Sequence, residues 1–170
     1  MIQLNDVVRS VSFSPNGQLV VAGLGGSIRR KGVWKDRTIP PEHPEDDPKD
    51  VSTLVVLSYL QETLTVVFET NDASGGITAT LFSPDQKCLY VGSRDKRVYV
   101  YDPLSDFQMV DTYEGGIEEI RSLDLTGDDK YLVVGAASTA AVIEVASGET
   151  IHEFKRGGTV WSLAWSSADK

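Results

Sequence analysis

Nearly the same turn recurs three times along this chain, and that repetition restricts the possible folds more than any other feature. Each turn is followed by an apolar run that ends in a glycine. In chain order these are Ser12–Gln18 with Gly23, Leu81–Lys87 with Gly92, and Asp124–Lys130 with Gly135. Self-similarity of this kind indicates one supersecondary unit stacked on copies of itself. Because the unit contains only strand and turn patterns, the sequence predicts an all-β repeat architecture.

The spacing of the copies indicates the kind of repeat. Four equivalent positions, Phe13, Phe82, Leu125 and Trp165, are separated by 69, 43 and 40 residues. Propeller blades repeat every roughly 40 to 45 residues, so the first copy carries about 26 extra residues. These correspond to residues 27–51, where charges and prolines replace the apolar alternation. The sequence therefore predicts a charged insertion in the first copy.

Four short strands fit each complete copy by period-two alternation and turn residues. We expect a single domain over 1–170, with blade 1 at about 7–69, blade 2 at about 77–113, blade 3 at about 120–154 and the start of a fourth blade at about 160–170. The predicted inner strands are Val8–Phe13, Ile77–Phe82, Ile120–Leu125 and Val160–Trp165.

The middle copy contains the most specific motif. It reads Gly92-Ser-Arg-Asp-Lys-Arg-Val-Tyr-Val-Tyr-Asp102, and this strand, tight turn, strand and closing aromatic–Asp pair resemble a WD-repeat blade. The resemblance implies a β-propeller of four-stranded antiparallel blades, with about three and a half blades present. It also implies a protein-interaction scaffold or adaptor without chemistry of its own, whose partners contact the rim or the loops.

The same resemblance assigns structural roles to three residues. Asp95 matches the turn acid of the family, and Tyr101-Asp102 match its Trp-Asp pair. The pattern is weaker elsewhere, because Gly115-Gly116 lack the histidine that follows glycine in the family. We therefore expect incomplete blade-tying networks, with most stability coming from the apolar faces of neighbouring blades.

Charge and composition limit the partners. A net charge of -9 argues against nucleic acid and anionic membranes, which require clustered Lys and Arg. The single cysteine excludes a disulfide framework, no apolar run is long enough to span a bilayer, and no signal-peptide pattern opens the chain. We expect an intracellular protein, cytoplasmic or nuclear, whose partners are other proteins.

No arrangement of residues predicts catalysis. The glycines of 23–27 follow a strand, but neither a helix pattern nor Gly-Lys-Ser/Thr comes after them, so a turn is favoured over a phosphate loop. His43 and His152 fall in different elements without ligand spacing, and Cys88 lies in a strand where a small buried hydrophobe is expected. The sequence predicts no enzyme, no cofactor and no metal site.

Two basic clusters are candidates for partner binding. One lies in the insertion and surrounds an aromatic side chain, and the other lies in the tight turn of the middle copy. The residues are Arg29, Arg30, Lys31 and Trp34 in the first, and Arg94, Lys96 and Arg97 in the second. Trp and Arg dominate interface hot spots. A solvated loop without function is the alternative for the insertion, and both clusters project from one rim if the insertion occupies the equivalent turn.

The number of blades leaves two interpretations open. Closed propellers have roughly four to eight blades, and closure protects their faces and edges. Three and a half blades therefore indicate either a piece of a longer propeller, which we favour, or self-association through the open ends. The second function class that remains is a structural segment of a large assembly, completed by another chain or by further blades.

Overall fold

The computed structural model describes residues 2, 4, 6–25, 52–114, 118–155 and 157–166. Twelve β-strands form the regular structure of these described residues. They form three four-stranded antiparallel sheets, each with its strands in chain order. Blade 1 consists of β1 (Val8–Phe13), β2 (Leu19–Leu24), β3 (Leu54–Leu60) and β4 (Thr63–Thr70). Blade 2 consists of β5 (Ile77–Phe82), β6 (Leu89–Ser93), β7 (Val98–Asp102) and β8 (Gln108–Tyr113). Blade 3 consists of β9 (Ile120–Leu125), β10 (Tyr131–Ala136), β11 (Thr139–Glu144) and β12 (Thr150–Lys155).

This architecture confirms the predicted fold class. The inner strands β1, β5 and β9 have the predicted bounds. None of the described residues is helical, so no helix among them is long and apolar enough to cross a membrane. The predicted insertion at 27–51 lies outside the described residues.

The repeated turn motif has one hydrogen-bonding pattern in all three blades. In blade 1, the Ser14 hydroxyl donates to Asn16 Oδ1 (2.7 Å) and accepts the Leu19 amide N–H (2.9 Å). Ser83 in blade 2 and Thr126 in blade 3 make the same pair of bonds to their own turns. A hydroxyl followed two residues later by Asn or Asp therefore closes the turn between the first and second strands, which explains why this motif recurs.

The fourth inner strand, expected at Val160–Trp165, is not a regular strand. A strand needs a hydrogen-bonded neighbour, and this segment makes only isolated bonds to blade 3. The Val160 N–H donates to the Ala136 carbonyl (3.2 Å), and the Trp165 N–H donates to Asp124 Oδ2 (2.5 Å). The segment 157–166 thus lies where an inner strand would begin, without the second strand that would complete a ladder.

Apolar side chains between neighbouring blades form the core. The cluster between blades 1 and 2 includes Val21, Val56, Ile77, Leu89 and Tyr101. The cluster between blades 2 and 3 includes Tyr90, Val100, Ile120, Leu132 and Ile143. Because each blade contributes opposite faces to successive clusters, stability depends on stacking rather than on any one sheet.

The glycine near the end of each second strand allows the next blade to approach. A Cβ added to Gly92 would lie 2.6 Å from Ile120 Cγ2, and one added to Gly23 would overlap Ile77 Cγ2. At Gly135 an added Cβ would lie 3.0 Å from Val160 Cγ1. We call this arrangement the glycine seat: a second-strand glycine covered by the first aliphatic residue of the following unit.

Replacing Gly92 by Ala should therefore destabilise the protein. The added methyl would overlap Ile120 in a packed interface, and overpacking costs typically about 1–3 kcal/mol. The urea unfolding midpoint should fall in the Gly92→Ala variant. Gly157→Ala is the matched control, because an added Cβ there meets nothing within 4 Å. Equal stability of both variants would contradict the glycine seat.

Candidate interaction rim

One end of the stacked blades brings together the turns after each second strand and the starts of the inner strands. The β6–β7 turn reaches the start of β5 through Arg94 N–H, which donates to the Gly76 carbonyl (3.0 Å). The β10–β11 turn reaches the chain before β9 through the Ser138 hydroxyl, which donates to Glu118 Oε2 (2.6 Å). We call this end the rim, and define it by Arg94–Arg97, Ala137–Ser138 and Glu118–Arg121.

The connection between β2 and β3 starts and ends at the same rim. The Leu24 N–H donates to the Thr53 carbonyl (2.9 Å), which closes the end of the β2–β3 ladder. Arg9 Nε donates to the Gly25 carbonyl (2.5 Å) beside the start of β1. The predicted partner residues Arg29, Arg30, Lys31 and Trp34 belong to this connection and lie outside the described residues.

Asp95 is the centre of a hydrogen-bond network in the β6–β7 turn. Its Oδ1 accepts the Arg97 N–H (3.2 Å), and its Oδ2 accepts the Tyr99 hydroxyl (2.8 Å). The same Oδ2 accepts the Ser74 N–H (2.8 Å) and interacts with the Ser74 hydroxyl (3.2 Å). Asp95 thereby joins its own turn, strand β7 and the chain that enters blade 2.

Burial and the Asp95 carboxylate both raise the pKa of the Tyr99 hydroxyl. The pKa of Tyr99 is raised to about 12, first by burial and then by its hydrogen bond to Asp95. A raised tyrosine pKa means that the folded state favours the neutral phenol. The associated stability is therefore present below the usual tyrosine pKa of about 10 and is lost as pH rises through about 12.

Tyr101 and Asp102 contact different elements. The Tyr101 hydroxyl donates to Asp72 Oδ2 (3.1 Å) in the connection from blade 1. Asp102 accepts the Leu104 N–H (2.8 Å) and the Ser105 hydroxyl (2.7 Å), and these bonds lower its pKa, with the Ser105 bond first. The two residues of this motif thus contact a blade connection and the β7–β8 turn, respectively.

Two carboxylates of the connection between β8 and β9 form ion pairs with two of the three predicted basic residues on this turn. Arg97 Nε lies 2.8 Å from Glu114 Oε1, and Arg94 Nε lies 3.4 Å from Glu119 Oε2. Lys96 is exposed and has a left-handed backbone with φ of 76°. The described part of the rim is therefore a mixed-charge surface rather than a basic patch.

Arg121 of the rim contacts Trp161 of segment 157–166, and Trp161 is counted with the rim from here on. The Arg121 guanidinium lies 5.4 Å from the centre of the Trp161 ring, and Arg121 Nη2 lies 2.7 Å from Glu119 Oε2. The Trp161 side chain remains 73% exposed. Arg121 lies at a β-bulge of β9, and Arg9 and Thr78 lie at the equivalent bulges of β1 and β5. Such bulges turn a side chain away from the ladder, and here they repeat at the same end of each inner strand.

Sequence reasoning did not select Arg121 as a site residue. One signal was available, because Arg9, Thr78, Arg121 and Trp161 each follow the first aliphatic residue of an inner-strand pattern. The contact between Arg121 and Trp161 depends on the bulge in β9 and on the position of segment 157–166, and the alternation of residues reports neither.

The described residues do not assemble a catalytic group. No cluster of three or more His, Cys, Asp or Glu among them is arranged to hold a metal ion. Burial raises the pKa of the Cys88 thiol, which opposes formation of the nucleophilic thiolate. A groove of about 630 Å³ contains Glu114, Glu149 and His152, but it runs along the exposed outer strand of blade 3.

Three stacked four-stranded antiparallel blades define a partial β-propeller, and the resemblance to WD repeats is confirmed by a match to a family model. A family model described as WD domain, G-beta repeat, matches residues 4–29. A second, described as Cytochrome D1 heme domain, matches residues 50–161. Because the second match covers more than half of the chain, the chain belongs to the cytochrome D1 heme domain family. No curated protein matches the chain significantly.

The described residues do not fit the haem that this family name implies. Haem iron is held by His, Cys, Met or Tyr side chains, and none of these residue types occurs in β1, β5 or β9. His152 and Met109 are exposed on the outermost strands β12 and β8. The Tyr99 and Tyr101 hydroxyls already donate to carboxylates. We therefore derive no chemistry through a haem group.

Replacing Asp95 by Ala should destabilise blade 2 more than removal of an ordinary surface carboxylate. The substitution leaves the buried Tyr99 hydroxyl without its acceptor, and an unsatisfied buried group costs about 1–3 kcal/mol. Asp111→Ala, on exposed β8, is the matched control. Urea unfolding at neutral pH should separate the two variants. If Asp95→Ala matches Asp111→Ala, the Asp95 network does not stabilise the fold.

Proposed function

We propose that this chain is a protein-interaction scaffold that binds partner proteins at its rim. The observation that carries the proposal is the exposed Trp161 ring beside the Arg121 guanidinium, next to the charged β6–β7 turn. Trp and Arg are the residues most enriched in interface hot spots. The WD-repeat match supports the same general role, because WD repeats generally mediate protein–protein interactions.

The basic residues of the β2–β3 connection belong to the same proposal. Arg29, Arg30, Lys31 and Trp34 are in the connection whose flanking residues, Gly25 and Thr53, lie at the rim. We propose that this connection extends the binding surface, with Trp34 as a second aromatic anchor and with Arg94, Lys96 and Arg97 beside it. A mixed-charge rim on a chain of net charge -9 suits proteins better than nucleic acid. We place this interaction inside the cell.

A structural role in a larger assembly is the second candidate. Blade 1 turns an apolar face, which includes Val11 and Phe13, away from blade 2. A chain whose blade faces are completed by a neighbouring subunit would use these faces rather than the rim. Rim variants and face variants therefore distinguish the two functions.

Binding to the immobilised chain tests the rim. The variant combines Trp161→Ala, Trp34→Ala, Arg94→Glu and Arg97→Glu, and Leu104→Ala is the control, because Leu104 is exposed on the β7–β8 turn at the opposite end. A protein captured by the native chain should bind the rim variant at least about 2 kcal/mol more weakly, the hot-spot scale. Capture that survives in the rim variant and is lost with Leu104→Ala would contradict the proposal.

A further inference from the structure

The free face of blade 1 repeats the residue pattern by which the other blades pack on their predecessors. Ile77 and Ile120, the first residues of β5 and β9, cover glycine seats and are buried. Val8 begins β1 at the equivalent position, before the same bulge, and is 42% exposed. Val8 therefore corresponds to Ile77 and Ile120. No preceding blade among the described residues offers it a second-strand glycine to cover.

The rest of the face follows the same pattern. Phe13 pairs across the sheet with Val20, and Phe82 pairs in the same way with Leu89. Phe82 is 6% exposed because it packs against blade 1, whereas Phe13 is 62% exposed. Ile2 and Leu4, with Val20, pack against Leu24, Val55 and Leu57 of blade 1. The exposed part, Val8, Val11 and Phe13, is equivalent to surfaces that another blade covers elsewhere in the chain.

Blade 3 offers the complementary surface. Its outward face has Gly135 in the second strand, with Val133 and Val142 half-buried and Phe154 exposed beside it. Segment 157–166 occupies this seat through Val160 and Leu163, without the ladder of a strand. A complete blade would bury more apolar surface on this face than the segment does.

From this correspondence we propose that two copies of the chain associate head to tail, with blade 1 of each copy packing on the outward face of blade 3 of the other. Strand β1 of the second copy takes the place of segment 157–166, and its first residue covers Gly135. Two faces on one chain that match the two sides of its own internal interface make the contact self-complementary. The two copies would close a ring of about six blades, within the usual range of four to eight.

Charge substitutions on the two faces test this contact. One variant carries Val11→Asp and Phe13→Asp on blade 1, and the other carries Val142→Asp and Phe154→Asp on blade 3. The control, Val110→Asp, changes the same residue type at a similar exposure on the outer strand of blade 2, away from both faces. Burying an unpaired carboxylate is strongly unfavourable, so each face variant should raise the dimer dissociation constant at least about 100-fold.

Sedimentation velocity at micromolar concentration measures whether each variant is a monomer or a dimer. The native chain and Val110→Asp should form dimers, and each face variant alone should be monomeric. An equimolar mixture of the two face variants should recover a dimer, because one blade 1 face and one blade 3 face remain intact. A native monomer would overturn the proposal. Dimers of the blade 3 variant alone would also overturn it, since they would show that blade 1 faces pair with each other.

Circular dichroism separates these results from misfolding. All substituted side chains are exposed or half-buried in the single chain, so each variant should retain the β-sheet spectrum and a cooperative unfolding transition. Segment 157–166 carries Trp161, so its displacement in the dimer removes the Trp161–Arg121 contact, and dimerisation competes with rim binding. The monomeric face variants keep the rim residues unchanged. Loss of dimerisation with rim binding intact would therefore affect only this inference.

Discussion

The contact between a second-strand glycine and the aliphatic residue that begins the next unit is the interaction on which the rest of the structure depends. At Gly23 and Gly92 the absence of a side chain lets the next inner strand approach the backbone of the preceding blade. That close approach brings the apolar faces of neighbouring blades into contact, and these faces supply most of the buried surface. Each sheet alone would leave one or both faces in water.

The positions of the rim residues result from the same stacking of one blade on the next. When Ile120 covers Gly92, the start of β9 lies beside the β6–β7 turn, and Glu119 comes within reach of Arg94. Exposed ion pairs of this kind contribute at most about 1 kcal/mol each, so they organise the surface more than they stabilise it. The Asp95 network differs, because it satisfies a buried tyrosine hydroxyl. Packing thus determines where the rim residues lie, and local hydrogen bonds hold the turn that presents them.

Much of the fold could be predicted because it is encoded locally. The hydroxyl and Asx residues of the three turns close by bonds within five residues, as Ser83 does with Asp85 and Cys88. The closing glycines were recognisable, but their function was not, because it depends on residues such as Ile77 in the next blade. The ion pairs of Arg94 and Arg97 were missed for the same reason. The alternation at Val160–Trp165 predicted a strand, but a ladder also needs a partner strand, which alternation does not supply.

A double-mutant cycle between Gly92 and Ile120 tests the central claim most directly. If the Ile120 side chain over the glycine backbone holds the blades together, the cost of Gly92→Ala arises from overlap with Ile120 Cγ2. In an Ile120→Ala background that overlap is gone, so the free energy of unfolding lost on Gly92→Ala should be smaller by more than about 0.5 kcal/mol, the largest deviation from additivity expected of independent sites. An equal cost in both backgrounds would show that Gly92 is needed for another reason and would contradict the account.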